Sequence, residues 1–170
     1  MTELHFRSAS DLGRIMRRRE LSSVELTGHY ISRIEKFDGK TNAVVARDFD
    51  RAMSLAKQAD EAFARDEILG PLHGLPFTIK DAYEVEGIVS TGGNPAWKDH
   101  VPAHSAVAVE RLQRAGGIVM GKTNVPYLSG DLQSYNDIYG TTNNPWALEC
   151  GPGGSSGGSA ASLAAGFTAA

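Results

Sequence analysis

The sequence predicts an α/β protein, a mixed β-sheet covered by helices, on three observations. The first third is rich in charge and carries apolar residues at helical spacing. From Gly70 onward Gly and Pro become frequent, and short apolar runs alternate with turns. A helical run near 105–115, then Gly116-Gly117, then Ile118-Val119-Met120 gives the helix–glycine–strand order of a sheet with covering helices. We expect one domain in two parts, an N-terminal helical segment over 1–66 and an α/β core over 67–170.

The elements follow in chain order. Ser10 or Ser8 can cap a helix over roughly 11–19, with Leu12, Ile15 and Met16 on one face. Its basic end, Arg17-Arg18-Arg19, reads as a solvated helix terminus. Ser22 and Glu25 stand at capping-box spacing and open an amphipathic run containing Val24, Leu26, Tyr30, Ile31 and Ile34. Ala43–Ala46 suits a strand. Ala52, Leu55, Ala56, Ala59 and Phe63 then repeat every three or four positions, which predicts a helix over 49–65. Leu75–Lys80 reads as a strand whose proline belongs at its start or at an edge. Polar turns fill 122–152, and a small-residue helix follows Gly151–Ser159.

Composition excludes several classes. A formal net charge of −3 argues against a general nucleic-acid binder. One cysteine, Cys150, permits neither an internal disulfide nor a thiolate zinc site, and it reads as a packing residue. The N-terminus lacks a signal-peptide core and no apolar stretch is long enough for a bilayer, so the expected location is cytoplasmic, with no membrane partner. His100 and His104 have a metal-like spacing, but Pro102 between them spoils a helix, and they read as surface histidines. No metal and no cofactor are expected.

Gly151-Pro152-Gly153-Gly154-Ser155-Ser156-Gly157-Gly158-Ser159 is the most informative stretch. A serine-bearing loop that enters a helix presents free N–H groups to developing negative charge. A phosphate loop needs a lysine after its last glycine, and none occurs after Lys122. The dinucleotide pattern fails because Ser156 stands where its glycine should be. The nucleophile-elbow pattern is matched, but all five histidines precede it, whereas an α/β-hydrolase needs its histidine afterwards. A serine activated by a neutral lysine remains. Lys80 and Lys122 both qualify, and spacing does not choose between them.

GPLHGLPFTIKD (70–81), HSAVAVERLQRAGGIVMGKTN (104–124), YGTTNNPW (139–146) and GPGGSSGGSAASLAAG (151–166) together resemble the amidase signature family, and the resemblance runs from about Leu21 to the C-terminus. It implies a Ser-Ser-Lys amidase acting on carboxamides by acyl transfer to water. By position it makes Lys80 the base and Ser155 the bridging serine that follows a cis peptide bond, here Gly154–Ser155. Asp131 and Gln133 fall in the family's substrate-pocket loop, with Ser129 and Ser156 as further pocket candidates; Tyr135 and Asn136 lie in the same stretch.

The family's nucleophile stands on a later Asp-x-Gly-Gly-Ser turn, which residues 156–170 do not contain. The resemblance therefore covers the N-terminal portion of such an enzyme, and it implies that these residues alone do not hydrolyse amides by the family mechanism. The implied partner is a small-molecule amide, and an exposed sheet edge would favour a homo-oligomer. Two alternatives stand beside this reading. One is the amidase-like component of a glutamyl-tRNA amidotransferase, its A subunit, although Lys122–Pro126 with Gln133 looks more like the stand-alone amidases. The other is a non-catalytic fragment acting as an interaction unit.

Overall fold

The computed structural model describes residues 3–170. Helix α1 (Ala9–Arg17) is capped by Ser8, whose hydroxyl accepts the Asp11 N–H, and buries Leu12 and Met16. Ser8 rather than Ser10 is thus the cap, and the basic run ends exposed. Helix α2 (Ser23–Thr41) opens on the full Ser22/Glu25 capping box and stops at Asn42 in the left-handed region. Its Leu26, Tyr30 and Ile34 are buried.

The Asp38 carboxylate, itself buried, turns the chain from α2 into β1 (Val44–Arg47). It accepts from the Thr41 hydroxyl, the Ala43 and Val44 N–H groups and the Arg47 guanidinium. Helix α3 (Phe49–Ala64) buries Ala52, Ala56, Ala59 and Ala62. Alanine at these four positions lets the helix approach its neighbours closely.

Strand β2 (Pro76–Lys80), helix α4 (Val107–Arg114) and strand β3 (Ile118–Thr123) follow. The expected proline at the strand start is Pro76. Strand β3 runs three residues beyond the expected Met120. Gly121 and Lys122 look like a turn locally, but both pair with β1 and β2. A two-rung hairpin, β4 (Tyr135–Asn136) with β5 (Gly140–Thr141), precedes helix α5 (Gly157–Ala164).

The main sheet has the order β1-β3-β2, with β3 antiparallel to β1 and parallel to β2. A strand from the first part of the chain is therefore built into the core of the second. One face carries Leu12, Met16, Tyr30, Ile34, Ala56, Met120, Ala161 and Phe167 from α1, α2, α3, β3, α5 and the tail. The other carries Phe77, Ile79, Val85, Ile88, Val109 and Val119. The 168–170 tail lies along β2, where the Thr78 N–H donates to the Thr168 hydroxyl and to the Ala170 carbonyl.

The β2–β3 register slips by one residue. Phe77 is opposite Val119 and Thr78 is opposite Gly121, so Met120 is extra. Such a bulge resets which side each later residue faces. Lys122 thus comes level with Ile79 and shares its face. Thr123 comes level with Lys80 and faces α5.

Candidate active site

Lys80 is the last residue of β2, and its Nζ lies 2.7 Å from the Ser155 hydroxyl oxygen. Loss of hydration in this half-buried position draws its pKa below the ordinary lysine value. Asp81 points to the opposite face, as strand alternation requires. There it accepts from Lys122 Nζ at 2.8 Å and from the Thr91 hydroxyl at 2.6 Å. Lys122 Nζ also donates to Ser90 at 2.8 Å, and the Lys122 and Asp81 side chains are fully buried. Burial lowers the Lys122 pKa against the pull of Asp81. Geometry thus separates the two lysines: Lys80 faces a serine, whereas Lys122 is closed inside an ion pair.

Ser155 sits on the turn that enters α5, and the Gly154–Ser155 peptide is cis. The turn is held where backbones touch. A Cβ on Gly154 would lie 2.7 Å from the Gln133 nitrogen, and one on Gly158 would lie 2.6 Å from the Asn124 carbonyl oxygen. Only glycine permits both approaches. The Gly158 N–H donates to the Asn124 carbonyl at 3.3 Å, and the Thr123 and Ser159 hydroxyls are hydrogen-bonded at 2.7 Å. At the far end of α5, Arg33 donates to the Ala165 and Gly166 carbonyls, a cation at the negative helix terminus.

The other sequence candidates gather less tightly. Gln133 is exposed, with its side chain against Gly151. Asp131 is exposed and accepts from the Gln133 N–H and, at 3.0 Å, from the Tyr135 hydroxyl; that bond raises the Tyr135 pKa. Ser156 is exposed at the N-cap of α5, where its side chain makes no capping bond. Ser129 stands at positive φ with its hydroxyl buried and without a partner among the described residues, and no hydrogen bond joins it to Lys80 or Ser155. The segment 131–133 therefore meets the Ser155 turn, whereas Ser129 is not hydrogen-bonded to it.

Some expectations need correcting. Cys150, read as a packing residue, is exposed. His100 and His104 are exposed, as expected of surface histidines, and His100 pairs with Glu84 at 2.9 Å. Sequence reasoning also missed Asn124 and Ser134, and it placed Asn136 in the pocket stretch without its buried role. Asn124 donates to the Gly140 carbonyl and the Thr142 hydroxyl and accepts from Asn136, which ties β3 to the hairpin. No local pattern marks these residues, because their partners are remote in sequence. Among the described residues, no helix is long and apolar enough to cross a membrane.

The family model described as Amidase matches residues 25–170. The A subunit of the glutamyl-tRNA(Gln) amidotransferase of Moorella thermoacetica is 40% identical over 164 residues, which cover 96% of this chain and 34% of that protein. A bacterial aryl acylamidase of the amidase signature family superposes with a TM-score of 0.92 at 30% identity, covering 98% of this chain and 35% of that one. The native peptide amidase of Stenotrophomonas maltophilia gives 0.88 at 32% identity, covering 95% and 34%. The chain thus spans about a third of the length of the proteins it matches. With its mixed sheet and helices laid out as in these enzymes, the chain belongs to the amidase signature family.

Proposed function

We propose that this chain supplies the proton-relay half of an amidase site, with Lys80 as base and Ser155 as bridging serine. The observation that carries this is the 2.7 Å contact between Lys80 Nζ and the Ser155 hydroxyl. It is supported by the desolvation that favours a neutral amine on Lys80. In its neutral form Lys80 accepts the Ser155 proton while Ser155 takes that of a nucleophilic hydroxyl, which adds to the amide carbon. Collapse of the adduct breaks the C–N bond, and the relay returns the proton to the departing amine. Water then cleaves the acyl-enzyme over the same groups. The nucleophile is supplied by polypeptide outside these 170 residues, and the substrate is a small carboxamide that passes Asp131, Gln133 and Ser156. No cofactor enters this chemistry, and the protein acts in the cytoplasm.

Ammonia release from a panel of primary amides tests both halves of this reading. The 170-residue chain alone should give no turnover. Turnover that disappears on Lys80→Ala would show that the nucleophile is already present. Joined to the remaining two thirds of the Moorella protein, residues 1–170 should support hydrolysis that falls about 10²–10⁴-fold on Lys80→Ala or Ser155→Ala. Turnover indifferent to both changes refutes the relay.

A second reading rests on the 40% identity to the Moorella amidotransferase component. In it, the released ammonia passes to an acylated tRNA instead of to solvent. Transamidation of glutamyl-tRNA in the presence of partner subunits, absent without this chain, would favour that reading.

A further inference from the structure

We propose that Ser134 is the positioning residue for Ser155: its single hydroxyl holds both ends of the turn and so sets where the Ser155 oxygen lies relative to Lys80. It accepts the Gly157 N–H at 2.9 Å and donates to the Gly153 carbonyl at 3.3 Å. Those two backbone groups bracket Ser155 on either side. Ser134 is only 1% exposed, so water cannot stand in for it.

The helix needs this bond. Gly157 is the first residue of α5, and its N–H has no partner inside the helix. The N-cap residue, Ser156, ordinarily supplies the cap, but its side chain makes no such bond. Ser134, 23 residues earlier, caps the helix in its place. Its own backbone is fixed because its carbonyl accepts the Thr142 N–H at 2.9 Å beside the β4–β5 hairpin. Asp131 and Gln133, on the same segment, thereby share one support with Ser155. The hydroxyl accepts at one end and donates at the other, and alanine can do neither, so it breaks both bonds.

The relay served by this turn rests on the function proposed above, and the test keeps the two ideas apart. The 170-residue chain, labelled at lysine and along its backbone, is studied by NMR as wild type, Ser134→Ala and Ser134→Cys. The cysteine fills the same site with a slightly larger atom and weakens the bonds. Gly157 amide exchange should quicken by roughly tenfold or more. The Lys80 titration midpoint should move by about half a pH unit or more as its serine partner shifts. Faster Gly157 exchange with an unmoved Lys80 midpoint makes Ser134 a helix cap and nothing more, which overturns the proposal. So do two unchanged readouts in a folded variant, or loss of the fold in both variants. The functional reading fails on a different result, a wild-type Lys80 midpoint at the ordinary lysine value.

Discussion

Removing either member of the Asp81–Lys122 pair should destabilise the protein severely, and removing both should cost much less than the sum. The two side chains have no solvent exposure and meet at 2.8 Å. Lys122→Met would leave the Asp81 carboxylate with only the Thr91 hydroxyl, at 2.6 Å, and the Thr91 N–H, at 3.2 Å. Asp81→Asn would leave the ammonium with Ser90 and a weaker amide oxygen. Breaking a buried pair from one side costs about 3–5 kcal/mol, because the survivor is an uncompensated charge. For a chain of this size each kcal/mol lowers Tm by about 2–4 °C, so each single variant should lose roughly 6–20 °C. In the double variant no charge remains to be orphaned, and the coupling should reach about 2–3 kcal/mol. Urea unfolding of the four proteins, followed by circular dichroism, closes the cycle. Single losses below about 1 kcal/mol, or losses that simply add, would refute the reasoning.

Two more predictions concern the site. Gly158→Ala should destabilise by about 1–3 kcal/mol, since the new Cβ meets Asn124 backbone that cannot step aside; an isolated helix would instead gain about 1 kcal/mol. Thermal unfolding gives the sign, and a stabilised variant sinks the close-approach claim. Lys80 should make stability rise with pH. Its folded pKa is lowered, so between that value and the ordinary lysine value the unfolded chain holds more protons than the folded one. The charged form therefore costs stability near neutrality, and the cost fades as pH climbs through that window. Stability measured by urea at pH 7 and above pH 10, relative to Lys80→Met, should favour the wild type progressively; a flat difference contradicts the desolvation.

What could be read in the sequence was local. The Ser22/Glu25 capping box and the alanine spacing of α3 each depend on residues within about three helical turns, so local pattern found them. The Gly-Gly-Ser-Ser-Gly-Gly turn announced itself by composition, and only the family resemblance preferred Lys80 to Lys122. The supports of that turn could not be read. Ser134 meets Gly157 across 23 residues and Thr123 meets Ser159 across 36, and in isolation each is an ordinary small polar residue. The length of β3 was hidden for the converse reason. A glycine and a lysine at its end resemble a turn until their remote partners are known: Ala46, whose carbonyl a Cβ on Gly121 would strike, and Asp81.

One unpaired residue explains why the two lysines could not be told apart by pattern. Counting outward from Met120, which packs on the α2–α3 face, strict alternation would put Lys122 on that same face, the side from which Lys80 reaches Ser155. Two ammonium groups would then compete for one serine, and Asp81 would be buried alone on the other side. The bulge at Met120 cancels one step of the alternation, so Lys122 turns to Asp81 and Thr123 turns to Ser159. Asp81 thereby receives a cation on its own face and leaves Lys80 without a carboxylate neighbour to hold its proton. The base role proposed for Lys80 calls for an ammonium that gives up its proton more readily than usual, and a single extra residue in the central strand favours it by turning Lys122 and Asp81 to the other face.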